Sequence, residues 1–335
     1  MLVLAVESSC DDSAAALMDG PVVLAERSRS QEEHAGHGGV VPEIASRLHL
    51  DVLPGIATAV LEEAGVDLHE VDAFAATAGP GLAGSLLVGL SWTKAAAMAC
   101  RKPFLGINHL AAHLCIHYGG ERAVSFPAIA LLASGGHTCI FLMRSWTRIE
   151  MLGGTRDDAA GEAFDKIAKM MGLGFPGGAE LDALAAQGDP DAVRLTMPLP
   201  DPATPEFSFS GLKTAVRLLL EKGTDHRDLA ASFNSSVAGL LAAKTAFQAR
   251  AHCARSVVAA GGVSANSALR RALEKAFPGP RPELFLPDMP MATDNAVMVG
   301  RAAASVLDSA PLAQSGYSCN AFARWDGEVL ETLVV

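Results

Sequence analysis

Two stretches of the chain, about half a length apart, share one strand–turn–strand plan, and that repetition limits the fold more than any other feature. Residues 2–6 read as a buried strand, Glu7 to Asp12 as a polar turn, and residues 13–18 as a second strand of small side chains. The plan recurs at residues 128–133, 134–138 and 139–143. Laid together without gaps, Ser8 meets Ser134 and Asp11 meets His137. The match is in plan more than identity. It leads to an expectation of two similar α/β domains facing a cleft, although two unrelated hairpins would give the same pattern. A length of 335 residues exceeds one small core and agrees with two domains.

Residues 42–65 are amphipathic, with Ile44, Leu48, Val52, Leu53, Ile56 and Val60 on one side. Residues 71–77 read as a strand entering the glycine loop Ala78-Gly79-Pro80-Gly81-Leu82, with a helix from about 85 to 100. Such a loop allows approach to a phosphate or a tight helix–strand pack. The prolines of residues 195–205 predict an extended, semi-rigid surface stretch, and residues 278–290 are similar. Either could bound an insertion or a lid. Residues 256–260 form a strand pattern that enters Gly261-Gly262 and a helix from Ser267, a nucleotide-compatible corner or an ordinary turn.

The chain is 50% hydrophobic and 19% charged, as in a packed globular protein. Its net charge is −11, so any RNA contact needs a local patch or a partner. Aromatics at 5% argue against a base-stacking platform. The six cysteines include no Cys-x-x-Cys pair, which excludes a zinc ribbon and a thioredoxin motif. The start of the chain enters a strand with no basic leader, and apolar runs break before a membrane-spanning length. Reduced thiols, a cytoplasmic location and no membrane contact are expected.

His109 and His113 are four residues apart in an apolar stretch. On a helix they share one face and can hold one metal ion, or they are simply half-buried histidines. Ala111 and Ala112 stand where a His-Glu-x-x-His protease keeps its base. Asp11 and Asp12 at the first turn could orient a metal, a water or a nucleophile, or only form the turn. Ser134-Gly135-Gly136 offers an anion nest. Asp157, Asp158, Glu162 and Asp165 form an acidic stripe, read as a solvated face unless it lines a cleft. Thr293 or Asp294 suits the cap of the next helix, and Asp294 could equally supply an oxygen ligand.

Together these motifs carry a resemblance. Glu7-Ser-Ser-Cys-Asp11, Gly39-Val-Val-Pro-Glu43-Ile-Ala-Ser-Arg47-Leu-His49, Ala78-Gly-Pro-Gly-Leu82, Asn108-His-Leu-Ala-Ala-His113, Ser134-Gly-Gly-His-Thr138, Gly161-Glu-Ala-Phe-Asp165-Lys166, Phe207-Ser-Phe-Ser-Gly-Leu-Lys213-Thr214, Gly261-Gly-Val-Ser-Ala-Asn266 and Thr293-Asp294-Asn295 occur in one order. The series closely resembles the TsaD family, bacterial tRNA threonylcarbamoyladenosine transferases once described as O-sialoglycoprotein endopeptidases. It spans nearly the whole chain.

The resemblance implies an actin-like α/β fold of duplicated ribonuclease-H-like domains flanking a nucleotide cleft. The first domain would be residues 1–125, with residues 300–335 packing back on it, and the second residues 126–299. It implies transfer of threonylcarbamoyl from threonylcarbamoyl-AMP to the adenosine 3′ of the anticodon in tRNAs reading codons that begin with A. His109, His113 and Asp294 would hold one divalent metal, iron (Fe2+) before zinc. Leu132, Ala133, Ser134, Gly135 and Gly136 would cradle the acyl-adenylate phosphate. Asp165, Gly178, Asp182 and Asn266 would bind its ribose and base, and Asp11 would be the acidic residue needed for transfer. A TsaB-like paralogue and a TsaE-like ATPase would be partners.

Three departures stand out. Ala111-Ala112 replaces Glu-Gly or Glu-Ala, so a carboxylate behind the metal ligands is expected to be missing. Asp12 stands where Glu is frequent and Ala179 where Pro is usual. The rival readings are a non-catalytic TsaB-like scaffold, a metalloprotease and a sugar kinase of the same fold. The first lacks the histidine pair, the second needs a base, and the third lacks the Phe207–Lys213 segment. For RNA, Lys213, Arg217, Arg27, Arg29 and Arg47 are the candidate basic contacts, with Lys213 alternatively a solvated helix residue.

Overall fold

The computed structural model describes residues 1–37, 39–309 and 316–334. It divides into two compact units. One comprises Met1–Ala123, Arg144–Ile149 and Asp294–Val335, the other Val124–Met143 and Glu150–Thr293.

In the first unit β1 (Leu2–Glu7), β2 (Asp12–Asp19) and β3 (Val22–Ser30) form an antiparallel meander. Helix α1 (Pro42–Ala64) leads to β4 (Ala73–Gly79), α2 (Ala83–Cys100), β5 (Phe104–Asn108) and α3 (His109–Leu114). The strands run in the order β5-β4-β1-β2-β3, with β4 parallel to both β1 and β5. Residues of the first strand are buried on both faces. Leu4 and Val6 join Leu53, Ala57 and Val60 of α1 in one core, while Ala5 faces a later helix.

The second unit repeats the plan. β6 (Ala128–Ala133), β7 (Thr138–Met143) and β8 (Ile149–Gly154) precede α4 (Ala160–Met170), α5 (Gly178–Ala185), α6 (Ser210–Glu221) and α7 (His226–Ala251). Then come β9 (Ser256–Ala260), α8 (Ser267–Ala276) and β10 (Glu283–Phe285). Their order, β10-β9-β6-β7-β8, copies the first sheet strand for strand, with β6 antiparallel to β7 and parallel to β9. The ungapped match seen in the sequence is therefore a match of topology. Helix α9 (Ala296–Ser309) follows and packs on β1 and β2, and near the C-terminus Leu333–Val334 pairs antiparallel with β5, Leu333 opposite Ile107. A Cβ on Gly300 would lie 2.6 Å from Met18 Cγ and 3.4 Å from the Ala5 methyl, so only glycine permits that approach.

The Gly79-Pro80-Gly81 loop proves to be a packing device. A Cβ on Gly79 would lie 2.1 Å from the Phe322 carbonyl oxygen, and one on Gly81 2.5 Å from that of Ser9. Gly81 N–H donates to Ala323 O and Leu82 N–H to Ser9 O. Helix α1 is long and apolar enough, by length and composition, to cross a membrane, contrary to the expectation that every apolar run falls short. Its inner side lies in the core just described.

The proline-rich stretch is pinned down. Lys244 on α7 is fully buried, and its Nζ donates to the carbonyls of Asp201 (2.8 Å) and Thr204. One turn on, Gln248 Nε2 donates to Ala203 O.

Candidate active site

The histidine pair owes its geometry to a cap. Asn108 ends β5, and its Oδ1 accepts the N–H groups of Leu110 (2.9 Å) and Ala111 (3.3 Å), which starts α3 at His109. Both imidazoles then lie on one face, with ring centroids 4.7 Å apart. The third member lies just before α9. Asn295 Oδ1 accepts Met298 N–H at 2.9 Å at the start of α9. Asp294 is left outside the helix, its Oδ1 3.1 Å from His113 Nε2 and 3.7 Å from His109 Nε2.

Ligand atoms of His109, His113 and Asp294 all lie within 4.8 Å of one another. Tetrahedral ligands about 2 Å from a metal stand roughly 3–3.5 Å apart, so the cluster is close to that spacing. The residues fit a cation for a further reason. His113 Nε2 is buried without a hydrogen-bond partner, although an Asp294 oxygen is near. A buried polar atom in that state is rare unless something fills the gap.

Sequence reasoning missed Glu7. It is fully buried at the end of β1, and Oε1 accepts Ser9 N–H while Oε2 accepts Thr77 Oγ–H, both at 2.5 Å. The same Oε2 lies 3.4 Å from His109 Nδ1. This carboxylate orients His109 so that Nε2 faces Asp294. The carboxylate expected to be absent beside Ala111-Ala112 is thus supplied by another strand. Burial pushes His109 down, but Asp294 and Glu7 overcome it and hold the imidazole up to about 9. Burial likewise opposes the Glu7 charge, and His109 reverses the balance and keeps it ionised. The only sequence signal for Glu7 was a charge closing an otherwise apolar strand.

The turn carrying Asp11 is held by His49, which is fully buried on α1. Its Nε2 donates to Cys10 O at 2.9 Å, so Nδ1 accepts Ser13 Oγ–H at 2.7 Å. Gln31 N–H donates to Asp11 O. Asp12 accepts from Ser30 Oγ and is pushed up to about 7, chiefly by burial, with Asp294, Asp11 and Glu7 adding to the rise.

In the second unit, Leu132 and Ala133 end β6 and Ser134-Gly135-Gly136 turns into β7. Ser134 N–H donates to His137 O, and a Cβ on Gly135 or Gly136 would meet nothing within 4 Å. Packing does not explain those two glycines. The turn after β9 is pressed against the same place: Gly261 has φ +85, and a Cβ there would lie 2.5 Å from Ala133 O. Asp165 Oδ1 accepts Gly177 N–H, next to Gly178 at the start of α5. Asp182 accepts Ser267 N–H (2.9 Å), Ser267 Oγ–H (2.8 Å) and Asn234 Nδ2–H (2.7 Å). Asn266 Oδ1 accepts Leu269 N–H and caps α8.

The acidic stripe is not one solvated face. Asp157 accepts the N–H groups of Phe209 and Ser210 at the start of α6, and Asp158 pairs with Lys166 and Lys213. Lys213 is therefore ion-paired rather than a simply solvated helix residue. Arg27, Arg29 and Arg217 are likewise paired, with Glu63, Glu33 and Glu221.

A family model described as "TsaD: tRNA N6-adenosine threonylcarbamoyltransferase" matches residues 22–301. The chain belongs to the TsaD family. A relative of that name from Geotalea uraniireducens (strain Rf4) is 46% identical over 333 residues, covering 97% of this chain and 96% of the relative. One from Geobacter sulfurreducens (strain ATCC 51573 / DSM 12127 / PCA) is 48% identical over 306 residues, covering 89% and 90%. Among solved structures, T. kodakarensis HypF matches with TM-score 0.64 at 14% identity, over 92% of this chain and 48% of that one. Component A of the Acidaminococcus fermentans (R)-2-hydroxyglutaryl-CoA dehydratase matches at 0.56 and 15%, over 92% and 99%. These likenesses show the fold, which is the actin-like α/β fold expected for TsaD.

Proposed function

We propose that this chain transfers the threonylcarbamoyl group from threonylcarbamoyl-AMP to N6 of the adenosine 3′ of the anticodon, in tRNAs reading codons that begin with A. The observation that carries the reading is the His109–His113–Asp294 cluster with Glu7 behind it, in a chain of this family. One divalent metal, iron before zinc, would be held by those three side chains, and when bound it would act as a Lewis acid on an oxygen of the acyl-adenylate. The turn at Leu132–Gly136 would receive the phosphate through its backbone N–H groups, and Asp165, Gly178, Asp182 and Asn266 the ribose and base. The adenosine amine forms the new C–N bond as the bond from the carbonyl carbon to the phosphate oxygen breaks and AMP leaves. Asp11 would take the amine's proton.

The protease reading lacks a base, because Glu7 is fully buried and engaged by Ser9, Thr77 and His109. A TsaB-like partner would seat on α1 and α2, where Leu50 and Leu87 are 61% and 53% exposed beside Pro54, Val88 and Trp92. A TsaE-like ATPase would complete the system, in the cytoplasm where tRNA is. The test is reconstitution with labelled threonine, bicarbonate, ATP and tRNA, adding components one at a time. Label should enter tRNA only when this chain is present; no label with every component present overturns the reading.

A further inference from the structure

We infer that Arg250, Arg255, Arg271, Lys275 and Arg281, around the N-terminal edge of the second unit's sheet, form a docking surface for the tRNA phosphate backbone. The inference rests on the function proposed above and names the face that meets the RNA. The chain carries a net charge of −11, yet residues 250–283 hold six Lys and Arg against two Asp and Glu. The fold gathers these charges. Helix α7 ends at Ala251 and β9 begins at Ser256, so Arg250 and Arg255 flank that turn. Strand β10 lies parallel to β9 with Glu283 opposite Ser256, and Glu283 N–H donates to Arg255 O at 3.0 Å. Arg281 therefore enters beside Arg255. Helix α8 runs back from the end of β9 to the start of β10, which returns Lys275 to the same edge with Arg271 one turn before it.

All five side chains belong to exposed residues, and none forms an ion pair among the described residues. That separates them from Arg27, Arg29, Lys213 and Arg217, whose charges are matched by carboxylates. Their neighbour Arg270 has a different task, donating to the carbonyls of Ser264 and Pro287. Arg271 and Lys275 rim a groove of about 750 Å³ whose floor includes Ala238, Ala242 and Ala272. Alanines offer bases nothing to stack on, so the surface suits phosphates rather than sequence. Guanidinium groups match phosphate bidentately, and local charge acts over a Debye length of about 10 Å, which lets a basic patch work on an acidic protein.

The experiment measures binding of an unmodified tRNA that reads a codon beginning with A, by the full chain with its partner proteins, across a salt series. The variants are R250E/R255E/R281E and R271E/K275E. The triple variant should lose about tenfold or more in affinity at low salt, and its log–log salt slope should fall by about two, since each phosphate contact contributes roughly 0.7–0.9. The circular dichroism spectrum and thermal midpoint of each purified variant chain should match the wild type, which shows an intact fold. Unchanged affinity and slope in both variants, with the wild type transferring normally, overturns the surface alone. A wild-type protein that neither binds nor modifies tRNA overturns the functional reading and the surface with it.

Discussion

Glu7 and His49 do by contact what no local motif announces. Each is fully buried and polar, and each holds a functional group from a distant part of the chain. Removing the charge behind His109 should loosen the metal without removing a ligand. Glu7→Gln is expected to lower metal affinity about 10–100-fold, read by competition with a chelator. His109→Ala should lose most of about one metal per chain, by elemental analysis; full occupancy in the His109→Ala, His113→Ala variant would dispose of the site. His49 acts on Asp11 through the Cys10 carbonyl. Asp11→Ala is expected to abolish transfer while adenine-nucleotide binding, read with AMP, survives. His49→Leu should lower kcat and leave the KM for threonylcarbamoyl-AMP nearly unchanged, and His49→Gln, whose Nε2 can still donate, should recover much of it. Equal kcat in wild type and His49→Leu would show that the turn needs no such hold.

At the scale of elements, short caps and one buried lysine set positions that periodicity leaves loose. Asn108 caps α3 and Asn295 accepts Met298 N–H at the start of α9, and Asp294, just before that helix, stands beside the two histidines. Lys244 fixes the proline-rich stretch to α7. Lys244→Met keeps the side chain's length but removes the donor to the carbonyls of Asp201 and Thr204; because neither residue is buried, the total cost is about 1–3 kcal/mol. Chemical denaturation should show a loss in that range, and faster proteolysis near residues 198–205 is the local sign. A stability equal to wild type would mean water replaces the ammonium freely.

Across the whole molecule the acidic balance has a measurable consequence. Asp12 rises from 3.8 to about 7, mainly through burial and then through Asp294, Asp11 and Glu7. A carboxyl raised in the folded state binds more protons folded than unfolded between those values. Stability from this group is therefore highest below about pH 4 and declines as pH climbs to about 7. Asp12→Asn should flatten that decline and be the more stable protein at pH 8, in denaturation curves taken across the window. A parallel pair of curves would show that Asp12 titrates normally.

Some of this was legible in the chain of letters because it depends on neighbours in sequence. The two hairpins follow from alternation and turn residues, and each falls where its pattern lies, at Leu2–Glu7 and Asp12–Asp19, Ala128–Ala133 and Thr138–Met143. The His109–His113 face follows from the 3.6-residue turn. The rest required the chain to close on itself. Glu7 lies 102 positions from His109, and no spacing rule spans that distance. Whether Gly79 and Gly81 meet a ligand or a backbone depended on where Phe322 and Ser9 come to rest. The basic residues separate in the same way. In sequence Lys213 and Arg255 are equal charges, but folding sets Lys213 against Asp158 and leaves Arg255 on an open edge. Local periodicity is written along one dimension, while charge pairing, orientation of a ligand and close backbone approach are decided by distances in three.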